Sequence, residues 1–575
     1  MNAMTFDAGF ARSRIRLVDI RHRELLTAQL RMLLLAGGFA LVAFVALIRI
    51  AWLGVVQPAP TEHSMAQALL PPRGEITDRN GVPLARAFPA YALWYNPQAL
   101  EDGGPPLVNP PAVVAARLKA IFPDMDLAAT ARFLAAGKPG YLRRRVLPNE
   151  VNAVNAIGEL ALETPGESDR QYPQGNLAAH VLGYVASDGH GRVGMESFLD
   201  KRLLDPTERG RPVPLSIDVR VQGALEDELA SGMRAVEAVG AAGIVLDVDT
   251  GEVLALASLP SFDPNKIDAE GQQRMFNRVT NEVYELGSTF KPLTVAAAID
   301  AGVITNLATR YPAAPLHVDG FTIHDDENLG ASLNIPETLI HSSNIVSAQI
   351  AAQLGGDRLS RALSDLGMSE RPYIELPARG FPIWHKPPWP RLRTMTVGFG
   401  HGVAVTPLHL AAAYAALVNG GIWRPATLLK VKPGEEARGR RVFKASTSAR
   451  MNQLLRMITV YGTGRKANAP GFRVGGKTGS AEKAAAGGYN KHSVVATFAS
   501  AFPMDHPRYV VVAMLDEPKA VAASSFQRTA AWNAVPIVGR LIPRIGPMLG
   551  VLPDDNRDID LSDLKPLVGD GGGNE

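Results

Sequence analysis

From Met32 to Ile48 every position is apolar or glycine, and beyond Arg49 the apolar character resumes from Ile50 to Val56. A run of that length predicts one membrane-spanning helix, because about 20 apolar residues cross the hydrocarbon core. Arg49 stands near the far end, where its stem can reach the interface beside Trp52. Arg12, Arg14, Arg16, Arg21, Arg23 and Arg31 precede the run, whereas Gly54 to Pro72 holds no Lys or Arg. The positive-inside rule therefore puts residues 1–31 in the cytoplasm and the chain beyond about residue 56 outside. Ala66-Gln67-Ala68 has the form of a signal-cleavage site, but it lies about ten residues past a stretch already too long for a signal peptide. The expected anchor, residues 32–56, therefore stays attached. No later stretch reaches about eighteen clean apolar residues, since Val403 to Ile422 is broken by Thr406, Pro407, His409 and Asn419.

The patterning beyond the anchor divides the chain at about residue 211. Residues 57–211 open on Pro71 to Gly81, where Asn80-Gly81 is a hairpin-turn signal between extended segments. Helical stretches are expected around Pro110–Phe122 and Asn149–Leu162, and the charges between Arg73 and Arg79 read as structural ion pairs. Residues 212–551 begin with an amphipathic helix from about Val219 to Val236. Strand-like runs at Gly243–Asp247 and Glu252–Ala257 flank the turn Asp249-Thr250-Gly251. Further strands are expected at Phe472–Lys477, Val494–Phe502 and Tyr509–Leu515, with a mostly helical stretch from about 285 to 460 in between. Five strands split by a helical insertion predict an α+β domain: an antiparallel five-stranded sheet assembled from both ends, with helices packed on it. The tail 552–575 carries six aspartates and ends in a glycine run, so disorder is expected there.

Composition narrows the function classes. At 575 residues the chain is too long for one core, and 46% hydrophobic residues leave material for two or three. The balance of 59 basic against 56 acidic residues leaves +3, which argues against a broad nucleic-acid-binding face. With no cysteine, thiol catalysis, disulfides and cysteine metal sites are excluded, and no metal or cofactor is expected.

Three short motifs carry the candidate chemistry: Ser288-Thr289-Phe290-Lys291, Ser342-Ser343-Asn344 and Lys477-Thr478-Gly479. An S-x-x-K alone arises about once or twice by chance in a chain this long, and Ser480-Ala481-Glu482-Lys483 is such a decoy. Ser288 differs because it directly precedes an apolar helical run, where a helix N-terminus favours a developing oxyanion. Lys291, one turn on, projects from the same face. It can take the serine proton if burial and a second cation, for which Lys477 is the candidate, lower its pKa. On its own the pair reads as a serine N-cap with a solvated lysine. Ser342 and Asn344 fall between two helix-like segments, where a hydroxyl can relay a proton and an amide can hold a carbonyl. Lys477 to Ser480 ends a strand candidate. An extended peptide could lie along that edge, with Lys477 and Thr478 on its terminal carboxylate and Gly479 leaving room for close approach.

In this order the motifs resemble those of class B penicillin-binding proteins, and most closely the cell-division transpeptidases of Gram-negative bacteria. The likeness runs from the anchor to about residue 520. It includes Arg73-Gly74 to Asn80-Gly81, Gly194-Met195-Glu196, Leu215 to Asp218, Gly398 to Gly402 with Val405-Thr406-Pro407, and Gly475 to Ala481. Tyr489-Asn490-Lys491 and the region from Phe502 to Pro518 are similar to the septal subgroup. The resemblance implies a dimerisation-type pedestal domain (57–211) and a transpeptidase domain (212–551) with a helical subdomain. It also implies Ser288 as acyl-ester nucleophile, Lys291 as its base, and an oxyanion hole from the backbone N–H groups of Ser288 and Ser480. The implied reaction cross-links peptidoglycan stem peptides at the bacterial inner membrane, in the periplasm, and β-lactams would acylate the same serine. Implied partners are a polytopic glycan polymerase and division regulators. The chain departs from the family pattern at Leu286, usually Pro, at His401, commonly Tyr, and at Leu376 to Gly380. A β-lactamase would need a deacylating carboxylate that has no obvious position here, and a sensor would need more than 31 cytoplasmic residues. A non-enzymatic division scaffold and an elongation-type transpeptidase stand as alternatives.

Overall fold

The computed structural model describes residues 29–49, 71–99, 105–186, 188–485 and 488–568. The basic N-terminal segment and Ala66-Gln67-Ala68 lie outside the described residues. Helix α1, Gln29–Arg49, is long and apolar enough to cross a membrane. At 1.5 Å per residue it spans about 30 Å.

Residues 71–568 fold as a separate unit. Strand β1 (Ile76–Thr77) turns back through Gly81, at φ +86°, into the long strand β2 (Pro83–Tyr95). β2 is the spine of the N-terminal sheet, pairing antiparallel with β1 and with Gly140–Val146, Leu162–Glu163 and Gly166–Gln171. Strand β3 (Val213–Pro214) pairs in parallel with β1. The helix expected over 149–162 is shorter, Pro148–Asn155, because the chain turns through Gly158 at φ +77° to reach the strand at Leu162. The Arg73 charges are structural. Arg73 Nε donates to Glu196 Oε2 at 2.8 Å, Arg170 Nε to Glu196 Oε1 at 2.7 Å, and all three side chains are buried.

Helix α2 (Val219–Ala235) starts where the Asp218 carboxylate accepts from Arg220 N–H. Strands β4 (Gly240–Asp247) and β5 (Val253–Leu259) form the expected hairpin. The helical insertion supplies α3 (Lys291–Asp300), α4 (Ile335–Ile340), α5 (Asn344–Leu354), α6 (Pro407–Val418) and α7 (Ala445–Tyr461). The chain then returns with β6 (Gly475–Ala485), β7 (Gly488–Phe502), β8 (Tyr509–Asp516) and helix α8 (Ala534–Ile545). The sheet order is β6-β7-β8-β4-β5, antiparallel throughout, so β6 is an edge strand.

Strand alternation splits the core into two layers. Ala242, Ile244 and Leu246 of β4 face the α3, α4, α6 and α7 side, while Ala241 and Val245 face α2 and α8. Helix α6 is buried all round, which is why its sequence is apolar without being a membrane span.

Two expectations change. Lys477 to Gly479 lies at the start of β6 rather than at a strand's end, because the 15-residue β7 pairs with β6 through Ala485. The acidic tail is ordered as far as Val568. Two of its aspartates are neutralised in place: Asp558 accepts from Arg456 Nη2 at 2.6 Å, and Asp563 pairs with Arg450. Leu561 and Leu564 are buried beside them.

Candidate active site

Gly287–Phe290 forms a 3-10 turn that leads directly into α3. Gly287 sits at φ +53°, and a Cβ there would lie 3.1 Å from the Ser480 carbonyl oxygen. The turn is pinned from behind. Tyr414 Oη, fully buried in α6, donates to the Thr289 carbonyl at 2.8 Å, and Thr289 Oγ1 donates to the Leu286 carbonyl at 2.9 Å. Leu286, where the resembling family usually has proline, is buried in the core. Ser288 is half-exposed at the surface of this rigid turn.

Lys291 is fully buried, and its Nζ donates to the backbone carbonyl of Ser342 and, at 3.1 Å, to Ser342 Oγ. Lys477 is also fully buried, and its Nζ donates to the same Oγ at 2.8 Å and to the Thr478 carbonyl at 3.1 Å. Burial pushes Lys291 down to about 7, opposed by the Asp325 and Asp326 carboxylates. Burial, and then the charge of Lys291, push Lys477 down as well. Two ammoniums cannot both crowd one hydroxyl out of water, so the pair titrates as a unit and releases one proton early. The hydroxyl then donates to the neutral amine while accepting from the remaining ammonium.

Ser342 occupies the left-handed region at φ +62°, a strained conformation that costs about 1–3 kcal/mol in a non-glycine residue. It is held from both sides. Ser343 caps α5 by accepting from Val346 N–H, and its Oγ donates to Asp325 Oδ2 at 2.7 Å. Asp325 Oδ1 accepts from Asn344 N–H at 2.5 Å and Ile345 N–H at 3.1 Å, while Asn344 Nδ2 donates to the His324 carbonyl at 3.2 Å.

On β6, Thr478 Oγ1 shares a hydrogen bond of 2.8 Å with Thr463 Oγ1. A Cβ on Gly479 would lie 2.3 Å from the Leu286 carbonyl oxygen, so this glycine lets the strand and the serine turn touch. Ser480 Oγ accepts from Ala530 N–H at 3.0 Å. The decoy lysine is occupied elsewhere. Burial pushes Lys483 down, but Glu517 and Asp516, each 2.9 Å away, outweigh it and hold the ammonium above its ordinary value.

Ser288 and Ser480 border two cavities. One, of about 710 Å³, adds Ser342, Asp325, Thr463, Thr478 and Trp532. The other, of about 650 Å³, adds Asn344, Phe399, His401 and Glu482. All eight residues picked from the motifs thus converge: Ser288, Ser342, Asn344, Thr478 and Ser480 on cavity walls, with Lys291, Lys477 and Gly479 directly behind. Asp325, Thr463 and Tyr414 were not singled out from sequence. None of them carries a motif of its own, and each joins the site only through the fold.

Residues 241–536 match the family model of the penicillin binding protein transpeptidase domain, and residues 68–208 match that of the penicillin-binding protein dimerisation domain. The chain is 38% identical to the probable peptidoglycan D,D-transpeptidase FtsI of Caulobacter vibrioides, over 91% of this chain and 89% of that protein. It is 30% identical to the peptidoglycan D,D-transpeptidase FtsI of Escherichia coli K12, over 85% of this chain and 88% of that protein. Among solved structures, penicillin binding protein 3 of Mycobacterium tuberculosis, complexed with aztreonam, superposes with a TM-score of 0.65 at 24% identity, covering 85% of this chain and 99% of that one. A peptidoglycan synthetase from Bifidobacterium adolescentis gives the same TM-score at 22% identity. Two family models matched in chain order, together with a relative 38% identical across 91% of the chain, show that this protein belongs to the penicillin-binding proteins, as a serine-type peptidoglycan D,D-transpeptidase.

Proposed function

We propose that Ser288 is the nucleophile of a stem-peptide transpeptidation that passes through an acyl-enzyme. The observation that carries this reading is the shared hydroxyl of Ser342, bonded to Lys291 and Lys477 beside the Ser288 turn. In the first half-reaction a donor peptide lies along the free edge of β6. Its terminal carboxylate is held by the hydroxyls of Thr478 and Thr463, since the Lys477 ammonium is already engaged by Ser342 and Thr478. Neutral Lys291 takes the Ser288 proton as Oγ attacks the penultimate carbonyl, and Ser342 passes that proton to the leaving D-alanine amine. The backbone N–H groups of Ser288 and Ser480 stabilise the oxyanion. Asn344, on the wall of the second cavity, holds a substrate carbonyl. An amine of a second stem peptide then resolves the ester. β-Lactams enter the same path as mimics of the donor peptide.

The names of the relatives favour a septal role in cell division. Together with the arginines before α1, the fold supports a single-pass inner-membrane protein with residues 1–31 cytoplasmic and the catalytic unit periplasmic. In that arrangement α1 and the N-terminal module are free to meet a glycan polymerase and division regulators.

Labelling of the full chain with a fluorescent penicillin tests the reading. Wild type should carry one label on Ser288, and Ser288→Ala should carry none. A label that persists, or maps to Ser480, overturns the assignment.

A further inference from the structure

The segment that carries His401 is locked to the nucleophile turn. Tyr284 and Val405 exchange both backbone hydrogen bonds at 2.9 Å, and Gly402 N–H donates to Glu285 Oε1 at 3.0 Å. A Cβ on Gly400 would lie 2.0 Å from the Gly287 carbonyl oxygen. The two backbones therefore run antiparallel with Gly400 against Gly287, which packs the segment that carries His401 on the turn that carries Ser288. His401 Nδ1 lies 3.6 Å from Glu285 Oε2, and the ring packs on Phe399 with centroids 5.3 Å apart. With Nδ1 turned to the carboxylate, Nε2 is on the far side of the ring. The side chain stays 32% exposed on the wall of the cavity that also holds Ser288 and Ser480.

Ser342 lines the other cavity, so the lysine–serine relay borders one of the two cavities that meet at Ser288 and His401 borders the other. Acyl transfer has two half-reactions, and the second needs a base where the acceptor amine arrives. We propose that His401 is that base, accepting the proton of the incoming primary amine at Nε2, and that Glu285 is the positioning residue that orients the ring. The inference rests on the transpeptidase reading above.

The amine nitrogen, in its neutral form, bonds to the acyl carbon, and the carbonyl electron pair moves to the oxygen. The nitrogen, now cationic, gives one proton to Nε2. The electron pair returns, the bond from carbon to Ser288 Oγ breaks, and Oγ leaves with a proton that Lys291, neutral since the first half-reaction, passes on from the Lys477 ammonium through Ser342 Oγ. The products are an amide and free Ser288. His401 then loses its proton to water and Lys477 regains one. Burial and the charge of Lys291 hold the imidazole below its ordinary value, with Asp326 opposing, so it is neutral at neutral pH and able to accept. Across the cavity it faces Arg393 on helix Arg391–Val397, Glu482 on β6, and the rings of His324 and His385.

The test uses the detergent-solubilised full chain, an acyl-D-alanyl thioester as donor and D-alanine as acceptor amine. Penicillin acylation rate is measured beside the partition of acyl-enzyme between amide and hydrolysis product. His401→Gln keeps a polar side chain but cannot titrate. It should acylate within about threefold of wild type while amide formation falls about a hundredfold. It should also lose the rise in aminolysis with pH that wild type is expected to show below neutrality, and imidazole should restore part of the rate in His401→Ala. Unchanged aminolysis in His401→Gln overturns the proposal, as does an equal loss in both half-reactions, which would mark a structural role. A wild-type protein that takes no label at all would instead overturn the transpeptidase reading.

Discussion

Lys291 and Lys477 donate to the same atom, Ser342 Oγ, at 3.1 and 2.8 Å, and neither ammonium touches water. One proton too many is therefore built into the site, and its loss sets the pH dependence. In the proposed mechanism Lys291 must be neutral to take the Ser288 proton, so acylation by penicillin should rise with pH through about 7. Lys291→Arg keeps the charge but cannot shed its proton. It should acylate about 10²–10⁴-fold more slowly at every pH. A stopped-flow series across pH, with thermal unfolding to show that the variant folds, checks both. Wild-type rates by Lys291→Arg would remove Lys291 from the mechanism.

The same pair links stability to pH. Both lysines have lowered pKa values in the folded state, so between about 7 and the ordinary lysine value the unfolded chain holds more protons than the folded one. Stability should therefore rise with pH across that window. The rise should shrink in Lys291→Met, as measured by the apparent unfolding temperature from pH 7 to 9.

Asp325 organises the Ser342 loop with bonds to Ser343 Oγ and to two backbone N–H groups, and Ser342 is strained in that loop. Asp325→Ala frees the strain and orphans these donors. It should cost about 2–3 kcal/mol and slow acylation more than tenfold, although Asp325 contributes no group to the relay. Unaltered acylation in a folded variant would show that the loop keeps its shape without it.

How much of this site was legible beforehand depended on distance along the chain. Ser288 and Lys291 share one helical turn, so their spacing placed both on one face. The β4–β5 hairpin and the three late strands followed from alternation and turn residues. Asp325, Thr463 and Tyr414 have no such local mark. Each joins the motifs through contacts made only when α6, α7 and the 321–331 segment pack together. The tail misled for a related reason. Six aspartates suggest repulsion, but Arg450 and Arg456, about a hundred residues upstream on α7, supply countercharges to Asp563 and Asp558.

The Glu196 cluster makes a prediction remote from the chemistry. Glu196 is fully buried between Arg73 and Arg170, so Glu196→Ala leaves the buried Arg170 guanidinium without a carboxylate and Arg73 with Asp200 alone. Breaking such a pair costs about 3–5 kcal/mol. Limited proteolysis should cut first within residues 71–208, while any folded fraction keeps its rate of penicillin acylation.

The ordered tail ties together the helix that leads to Ser342 and the helix that precedes the Lys477 strand, and cutting it should be felt at the site. Asp558 holds Arg456, whose Nη1 donates to the Val474 carbonyl at 2.9 Å, immediately before the strand that carries Lys477. Nine residues further on, the Leu567 carbonyl accepts from Asn334 Nδ2 at 2.6 Å, at the cap of the helix that leads to Ser342. Truncation after Asp555 removes both ties and exposes the sites of Leu561 and Leu564. Each buried leucine is worth about 1.5–3 kcal/mol, whereas the half-exposed Asp558 adds less because solvent screens it. The truncated protein should therefore unfold at a lower temperature and acylate more slowly even where it remains folded, because Lys477 and Ser342 lose a common brace. Truncation after Val568 keeps every one of these contacts and is the control. If both truncations acylate at the wild-type rate with equal thermal stability, the tail is packed but plays no part in holding the site.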